Sequence, residues 1–177
     1  GFLAVREKNP PPLFSDDLET GAAGWTTIIN DAFGNTEWEL GTPTGTTGPL
    51  AGAGDSVNAW CTGLGDYGVE SDISLRTPAI DLSGVASALL SFDAYRDADG
   101  FGDTATIRFL RSSDQSQLGE DVPIDMTIFD VDYDAIEVLV PAAAIGESVL
   151  IEFNFVSDGT LDTFSGLCLD NILVQVP

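Results

Sequence analysis

The chain contains no histidine, a single lysine (Lys8), a single methionine and two cysteines, Cys61 and Cys168. Each scarcity removes a class of chemistry. Without histidine there is no Ser-His-Asp or Cys-His nucleophile system, no HExxH zinc site and no imidazole acid or base. Two cysteines cannot supply a four-thiolate zinc site. A phosphate-binding P-loop needs its lysine inside a glycine-rich turn, and Lys8 runs instead into Asn9-Pro10-Pro11-Pro12. Cations are few in general: 6 Lys and Arg face 29 Asp and Glu, for a formal charge of −23. That balance argues against nucleic acid and anionic membrane surfaces, whose phosphates demand Lys and Arg. Long apolar runs are also missing. The longest, around 138–145, contains Pro141 and falls far short of a bilayer span, so no membrane insertion is expected. Gly1–Lys8 has no apolar signal-peptide core, as in a secreted chain in mature form or an excised domain.

What remains is carboxylate chemistry, calcium chemistry, or none. The hydrophobic fraction of 44% is enough to build a core, and a chain of this length buries about 70% of its unfolded surface, so one folded domain is expected. The acids are skewed, with 20 Asp to 9 Glu. Short carboxylates in glycine-rich loops are what oxygen-ligated calcium sites use. Most of the acids read as a solvated coat suited to saline surroundings.

Residues 1–12 end in three prolines and read as a linker or N-terminal tail, leaving 13–177 as the domain. From Leu13 onward, short runs alternate apolar and polar residues between Gly, Asp, Pro and Ser. Leu90, Phe92 and Ala94 fall on one face of 87–95; Ala105, Ile107 and Phe109 on one face of 104–111; Val149, Ile151, Phe153 and Phe155 on one face of 147–156. Period 2 marks half-buried antiparallel strands. Further strands are expected at 13–19, 25–29, 37–40, 57–62, 133–140 and 167–176, and no stretch carries a helical period. Nine or so strands at this spacing predict an all-β antiparallel sandwich or jelly roll. The Gly/Thr-rich segment Gly41–Gly54 reads as a long loop inside it.

The order of short signatures is informative. Leu13-Phe-Ser-Asp-Asp-Leu-Glu-Thr-Gly21 is followed by Gly24-Trp25, Glu37-Trp38-Glu39-Leu-Gly41, Asn58-Ala-Trp60-Cys-Thr62 and Leu75-Arg-Thr-Pro78-Ala-Ile-Asp-Leu-Ser-Gly84. The chain closes with Gly146-Glu-Ser-Val-Leu-Ile-Glu-Phe153 and Gly166-Leu-Cys-Leu-Asp170-Asn-Ile172. This series resembles the MAM-like jelly-roll modules of secreted bacterial proteins. Such modules are attached to immune-inhibitor-A-type metalloproteases, and the cleaved-adhesin domains of surface haemagglutinins are related. The resemblance runs from about residue 13 to 176. It departs at Leu167, where the family has an aromatic, at Asn171, where it has a second Asp, and at Tyr133, where a Trp is frequent.

The resemblance implies side-by-side first and last strands with a structural Ca²⁺ near their junction. It implies Glu19 and Asp170 as ligands, with oxygens around Asp55 and Asn58 completing the shell. Six to eight oxygens satisfy Ca²⁺, so two carboxylates plus loop oxygens suffice; strand-end caps that accept backbone hydrogen bonds are the plainer reading of both acids. A second, weaker candidate is Asp97-Ala-Asp99-Gly-Phe-Gly102-Asp103, which matches the first half of a calcium loop but has Arg108 where a bidentate Glu belongs. An Asp/Gly hairpin turn explains it as well. Asp130, Asp132 and Asp134 lie two apart and would share a face if extended. Cys61 and Cys168 are either a disulfide, favoured by the even count and the exported relatives, or two buried thiols. Trp25, Trp38 and Trp60 fall at signature positions and read as core packing, leaving Tyr67 and Tyr95 as surface candidates for sugar stacking.

Three functions are compatible with these features. The first is a non-catalytic extracellular accessory or adhesion module, secreted or on a cell surface, with other domains of a larger secreted protein, glycans or cell-surface proteins as partners. The second is a carbohydrate-binding module of a secreted polysaccharide-degrading or proteolytic enzyme. A carboxylate-based glycosidase comes last, because 29 acids produce close pairs by chance and a small sandwich seldom supplies a deep cleft.

Overall fold

The computed structural model describes residues 10–177. Most of the expected 1–12 linker therefore lies outside the described residues, and 10–12 carry no regular structure. Six strands come first: β1 (Phe14–Asp16), β2 (Thr26–Ile29), β3 (Glu39–Gly41), β4 (Ala59–Cys61), β5 (Asp72–Arg76) and β6 (Ile80–Asp81). Six more complete the fold: β7 (Leu89–Asp97), β8 (Thr104–Arg111), β9 (Val122–Ile124), β10 (Asp134–Leu139), β11 (Ser148–Val156) and β12 (Gly166–Gln175). They form two six-stranded antiparallel sheets, one in the order β10-β7-β12-β4-β3 with β1 also on β12, the other β2-β5-β11-β8-β9 with β6 also on β11. The architecture is an all-β sandwich of the jelly-roll type. Among the described residues helix is confined to one 3₁₀ turn, Ala142–Ala144, started by Pro141. Among the described residues no helix is long and apolar enough to cross a membrane.

The long central strands obey the alternation in the sequence. Leu90, Phe92 and Ala94 of β7 and Ile107 and Phe109 of β8 are buried, as are Val149, Ile151, Phe153 and Phe155 of β11. The two inner faces meet at Phe92 and Phe153, whose rings pack edge to face at 5.3 Å. Trp25, Trp38 and Trp60 are core residues, 8%, 3% and 5% exposed. Trp25 packs against Trp60 at 5.8 Å, and its indole N–H donates to Asp16 Oδ2 at 2.8 Å.

Three strands escape the sequence pattern: β5 is five residues long, β6 only two, and β9 carries Pro123, which confines it to an edge. The first strand is also shorter than its alternation predicts. It stops at Asp16, because Leu18 adopts a left-handed backbone (φ 64°) and its amide turns back to Asp16 Oδ1 at 2.8 Å. Leu18 thereby drops into the core and Glu19 leaves the strand, correcting its expected place on the first strand.

β12 contains the irregularity that shapes the site. Its pairing with β7 shifts between Asp170 and Leu173, and Asn171 is left-handed at φ 49°. One extra residue reverses the inside/outside alternation. Leu167 and Leu169 before the bulge and Ile172 and Val174 after it therefore all reach the core. Asp170 lies on the opposite face, under the loop that connects β3 to β4.

Candidate functional site

That loop, residues 42–58, folds over the outer face of the first sheet. Beneath it, Cys61 of β4 and Cys168 of β12 stand directly opposite one another and are joined by a disulfide between residues 107 apart in sequence. Tyr95 and Tyr133 pack around this small apolar patch. The Tyr133 hydroxyl donates to the Ala51 carbonyl at 2.9 Å and pins the loop.

Glu19 and Asp170 reach the same loop from two sides. Glu19 Oε1 accepts from Ser56 Oγ at 2.5 Å and from the Asn58 amide at 2.8 Å, and Asn58 Nδ2 donates to the Leu18 carbonyl at 3.3 Å. Asp170 is fully buried; its Oδ2 accepts from the Ala53 amide at 2.8 Å and its Oδ1 from the Asn171 amide at 2.7 Å. The Ser56 hydroxyl holds the Glu19 carboxyl below the ordinary carboxylate range, helped by the Asn58 amide. Burial pushes Asp170 up despite its donors, and the nearby Glu19 charge adds to the rise.

Gly52 makes this convergence possible. A methyl group at its α-carbon would lie 2.5 Å from the Asn58 carbonyl oxygen, 2.5 Å from Ser56 Oγ and 2.6 Å from Asp170 Oδ2. Only a residue without Cβ lets the backbone approach these three oxygens. Four expected positions thus separate. Glu19, Asp170 and Asn58 are brought together, whereas Asp55 is exposed at the turn and Ser56 takes the inward place. Ser56 and Gly52 were not readable as site residues. The only available signal was the glycine-rich spacing Gly52-Ala-Gly54.

The second acidic loop, between β7 and β8, is dispersed rather than convergent. Asp97 Oδ2 accepts from Thr47 Oγ1 at 2.6 Å and from the Ser165 amide at 2.9 Å. Asp103, also buried, accepts from the Tyr67 hydroxyl and, at 2.9 Å, from the Asp158 amide. Asp99 turns instead toward Asp158 and Asp162, each contributing an oxygen within 4.8 Å of the others. Of Asp130, Asp132 and Asp134, only the first and last engage Arg96, at 2.8 and 2.7 Å, and Asp132 is exposed.

Of the two candidate tyrosines, Tyr67 is corrected as a surface residue. It is 3% exposed, with its ring edge-to-face on Phe155 at 5.1 Å. A loop position concealed its burial, because a buried loop tyrosine needs a partner for its hydroxyl that only the fold reveals. Tyr95 is half-buried and lines a groove of about 390 Å³ with Leu50, Val131 and Tyr133.

No family model and no curated protein matches this chain. Solved structures do. The K1 cleaved adhesin domain of Lys-gingipain from Porphyromonas gingivalis W83 superposes with a TM-score of 0.62 at 22% identity, over 93% of this chain and 98% of that one. The K3 cleaved adhesin domain of the same protein gives 0.60 at 19% identity, over 93% and 99%. The CBM22-1 xylan-binding domain of Paenibacillus barcinonensis Xyn10C gives 0.53 at 14% identity, over 96% of both chains. At these identities the likeness is one of fold.

Proposed function

We propose that this chain is a non-catalytic extracellular binding module, serving adhesion within a larger secreted protein and fastened by a structural calcium ion. The observation that carries the reading is the meeting of Asp170, Ser56 Oγ and the Asn58 carbonyl around the bare α-carbon of Gly52, with Glu19 joined to them through Ser56 Oγ. Two carboxylates converge there, and among the described residues neither has a cationic partner. Oxygen donors of this kind suit a hard cation. Glu19 and Asp170 would hold it, with Ser56 and Asn58 adding neutral oxygens. Bound calcium would neutralise the buried Asp170 and tie the turn after β1, the 42–58 loop and the last strand together. A MAM-like or cleaved-adhesin role, with glycans or cell-surface proteins as partners, agrees with this reading. So does the absence of any histidine for catalysis.

Thermal unfolding in EDTA and then in excess calcium tests it. A ligand at about 100 times its Kd adds about 2.7 kcal/mol, which for this size is on the order of 5–10 °C. Glu19→Gln and Asp170→Asn should each abolish most of the rise; an unchanged wild-type midpoint rejects the site.

The groove beside Tyr95 favours a second reading as a carbohydrate-binding module. Tyr95 offers a partly exposed ring between Leu50 and Val131, and a xylan-binding domain shares the fold. Affinity electrophoresis on a polysaccharide panel, with Tyr95→Ala as comparison, tests this reading; release of reducing sugar from any member would overturn the non-catalytic reading.

A further inference from the structure

Of the eleven large apolar side chains exposed among the described residues, six gather on neighbouring loops. Leu50, Phe101, Ile128, Phe129, Val131 and Leu161 are 75%, 102%, 39%, 55%, 97% and 77% exposed. They sit on four loops: 42–58, 98–103, 125–133 and 157–165. Strand pairing puts the last three of these loops at one end of the molecule, and the 42–58 loop reaches it across the outer face of the first sheet. Asp97 at the end of β7 faces Gly166 at the start of β12, Asp134 at the start of β10 faces Ala94, and Thr104 at the start of β8 faces Val156 at the end of β11.

The loops also touch. The Phe129 ring packs edge to face on Phe164 at 5.4 Å. Gly100 packs so closely on the 125–133 loop that a methyl group there would lie 2.4 Å from the Met126 carbonyl. The Thr47 hydroxyl reaches Asp97, and Leu50 and Val131 line one groove. This end is therefore a braced surface with apolar tips.

Its charge is of one sign. Asp99, Asp125, Asp132, Asp158 and Asp162 occupy the same loops, and none has an ion-pair partner among the described residues. Of the described arginines, Arg96 is nearest, and it is buried between Asp130 and Asp134. Arg76, Arg108 and Arg111 project from the second sheet, paired with Glu152, Asp121 and Glu147. Apolar side chains of this number on a water-facing surface mark an interaction site, and the unpaired acids select the sign of what binds. A second copy of a chain at −23 is repelled, and so is an anionic membrane.

We propose that this loop end docks a cationic, amphipathic polypeptide segment, its apolar side chains seated among Phe101, Phe129, Val131 and Leu161 and its Lys or Arg groups facing the loop aspartates. This deepens the reading as a binding module and rests on it, naming the chemistry of the partner.

Fluorescence anisotropy with a labelled 14-residue amphipathic Leu/Lys peptide provides the test. Controls are the same peptide with every Lys replaced by Glu and an oligolysine of equal length. The expected result is saturable binding of the Leu/Lys peptide, weakened by salt, and little binding of either control. Phe101→Ser/Val131→Ser/Leu161→Ser should weaken binding on the order of tenfold or more, a loss of about 1.4 kcal/mol or greater. Leu139→Ser, at the opposite end of the sandwich, should leave it unchanged. All three triple-variant side chains are largely exposed, so its thermal midpoint and calcium response should match wild type. Oligolysine binding as tightly as the Leu/Lys peptide, or a triple variant with wild-type affinity, overturns the proposal. Triple-variant-sensitive sedimentation with neutral phosphatidylcholine vesicles, without peptide binding, overturns it too and assigns the end to lipid. Either failure leaves the calcium shift and the polysaccharide assay standing as separate tests of the binding-module reading.

Discussion

Gly52 packs against Asp170 so closely that one methyl group would come within 2.6 Å of the Oδ2 atom. The contact links a loop glycine to a carboxylate of the last strand, and it makes the two halves of the candidate cation site depend on each other. Gly52→Ala should displace the 42–58 loop or the Asp170 side chain. Overpacking of this kind costs roughly 1–3 kcal/mol. The loss should be larger in calcium than in EDTA, because the added methyl also spoils the oxygen cluster. Differential scanning calorimetry in both conditions checks this; equal losses would separate the glycine from the cation.

The disulfide is placed to hold the same loop. Cys61 and Cys168 face each other across β4 and β12 beneath residues 42–58 and close a span of 107 residues. A crosslink over such a span stabilises by about 2–5 kcal/mol. Cys61→Ala/Cys168→Ala should lower the urea midpoint accordingly while the far-ultraviolet spectrum stays all-β. Wild type treated with a reductant should approach the double variant, and a midpoint insensitive to both would show that the bridge adds nothing.

On the outer face of the second sheet, Glu152 is 5% exposed between Arg76 at 2.8 Å and Arg108 at 3.2 Å. The register sets this up, since Glu152 lies opposite Arg76 on β5 and opposite Arg108 on β8. Glu152→Gln keeps the shape but leaves two guanidinium groups facing each other, with Asp121 compensating only Arg108. A loss of about 2–3 kcal/mol in urea unfolding is expected, well above the value of an exposed surface pair. Arg76→Met should cost less, because Glu152 keeps Arg108.

What the sequence makes legible follows from where physical constraint is repetitive. β7, β8 and β11 are eight or nine residues long, and period 2 repeated over that length has no helical equivalent. β5 carries the same alternation in Ile73 and Leu75, but over too few turns of the pattern to stand out. β9 hides behind Pro123, and β6 is too short to carry any period. The bulge at Asn171 is a single left-handed residue, and asparagine tolerates that backbone without announcing it. Glu19 and Asp170 were approachable only through the order of flanking signatures. Ser56 and Gly52 act through a loop closure that no local rule encodes. The surface status of Tyr67 fails for a similar reason: its hydroxyl finds its acceptor 36 residues later in the chain.

That acceptor yields a pH-dependent prediction. Tyr67 donates to Asp103, and both side chains are buried. Burial raises the Asp103 carboxyl above its ordinary value near 3.8, and the Tyr67 hydrogen bond and the Asp158 amide pull it partly back. The folded state therefore holds this proton more tightly than the unfolded chain. Stability from Asp103 is fully present below the ordinary aspartate pKa and is lost as pH rises through the raised value. Asp103→Asn should remove that loss, so its stability relative to wild type should improve from pH 3 toward neutrality. Tyr67→Phe should act in the opposite direction, costing about 1–3 kcal/mol at neutral pH by leaving the ionised carboxylate short of a donor, and costing less near pH 3. Urea unfolding of the three proteins between pH 3 and 7 checks the sign. A Tyr67→Phe penalty that grows toward acid would mean that the phenol serves the protonated carboxyl instead.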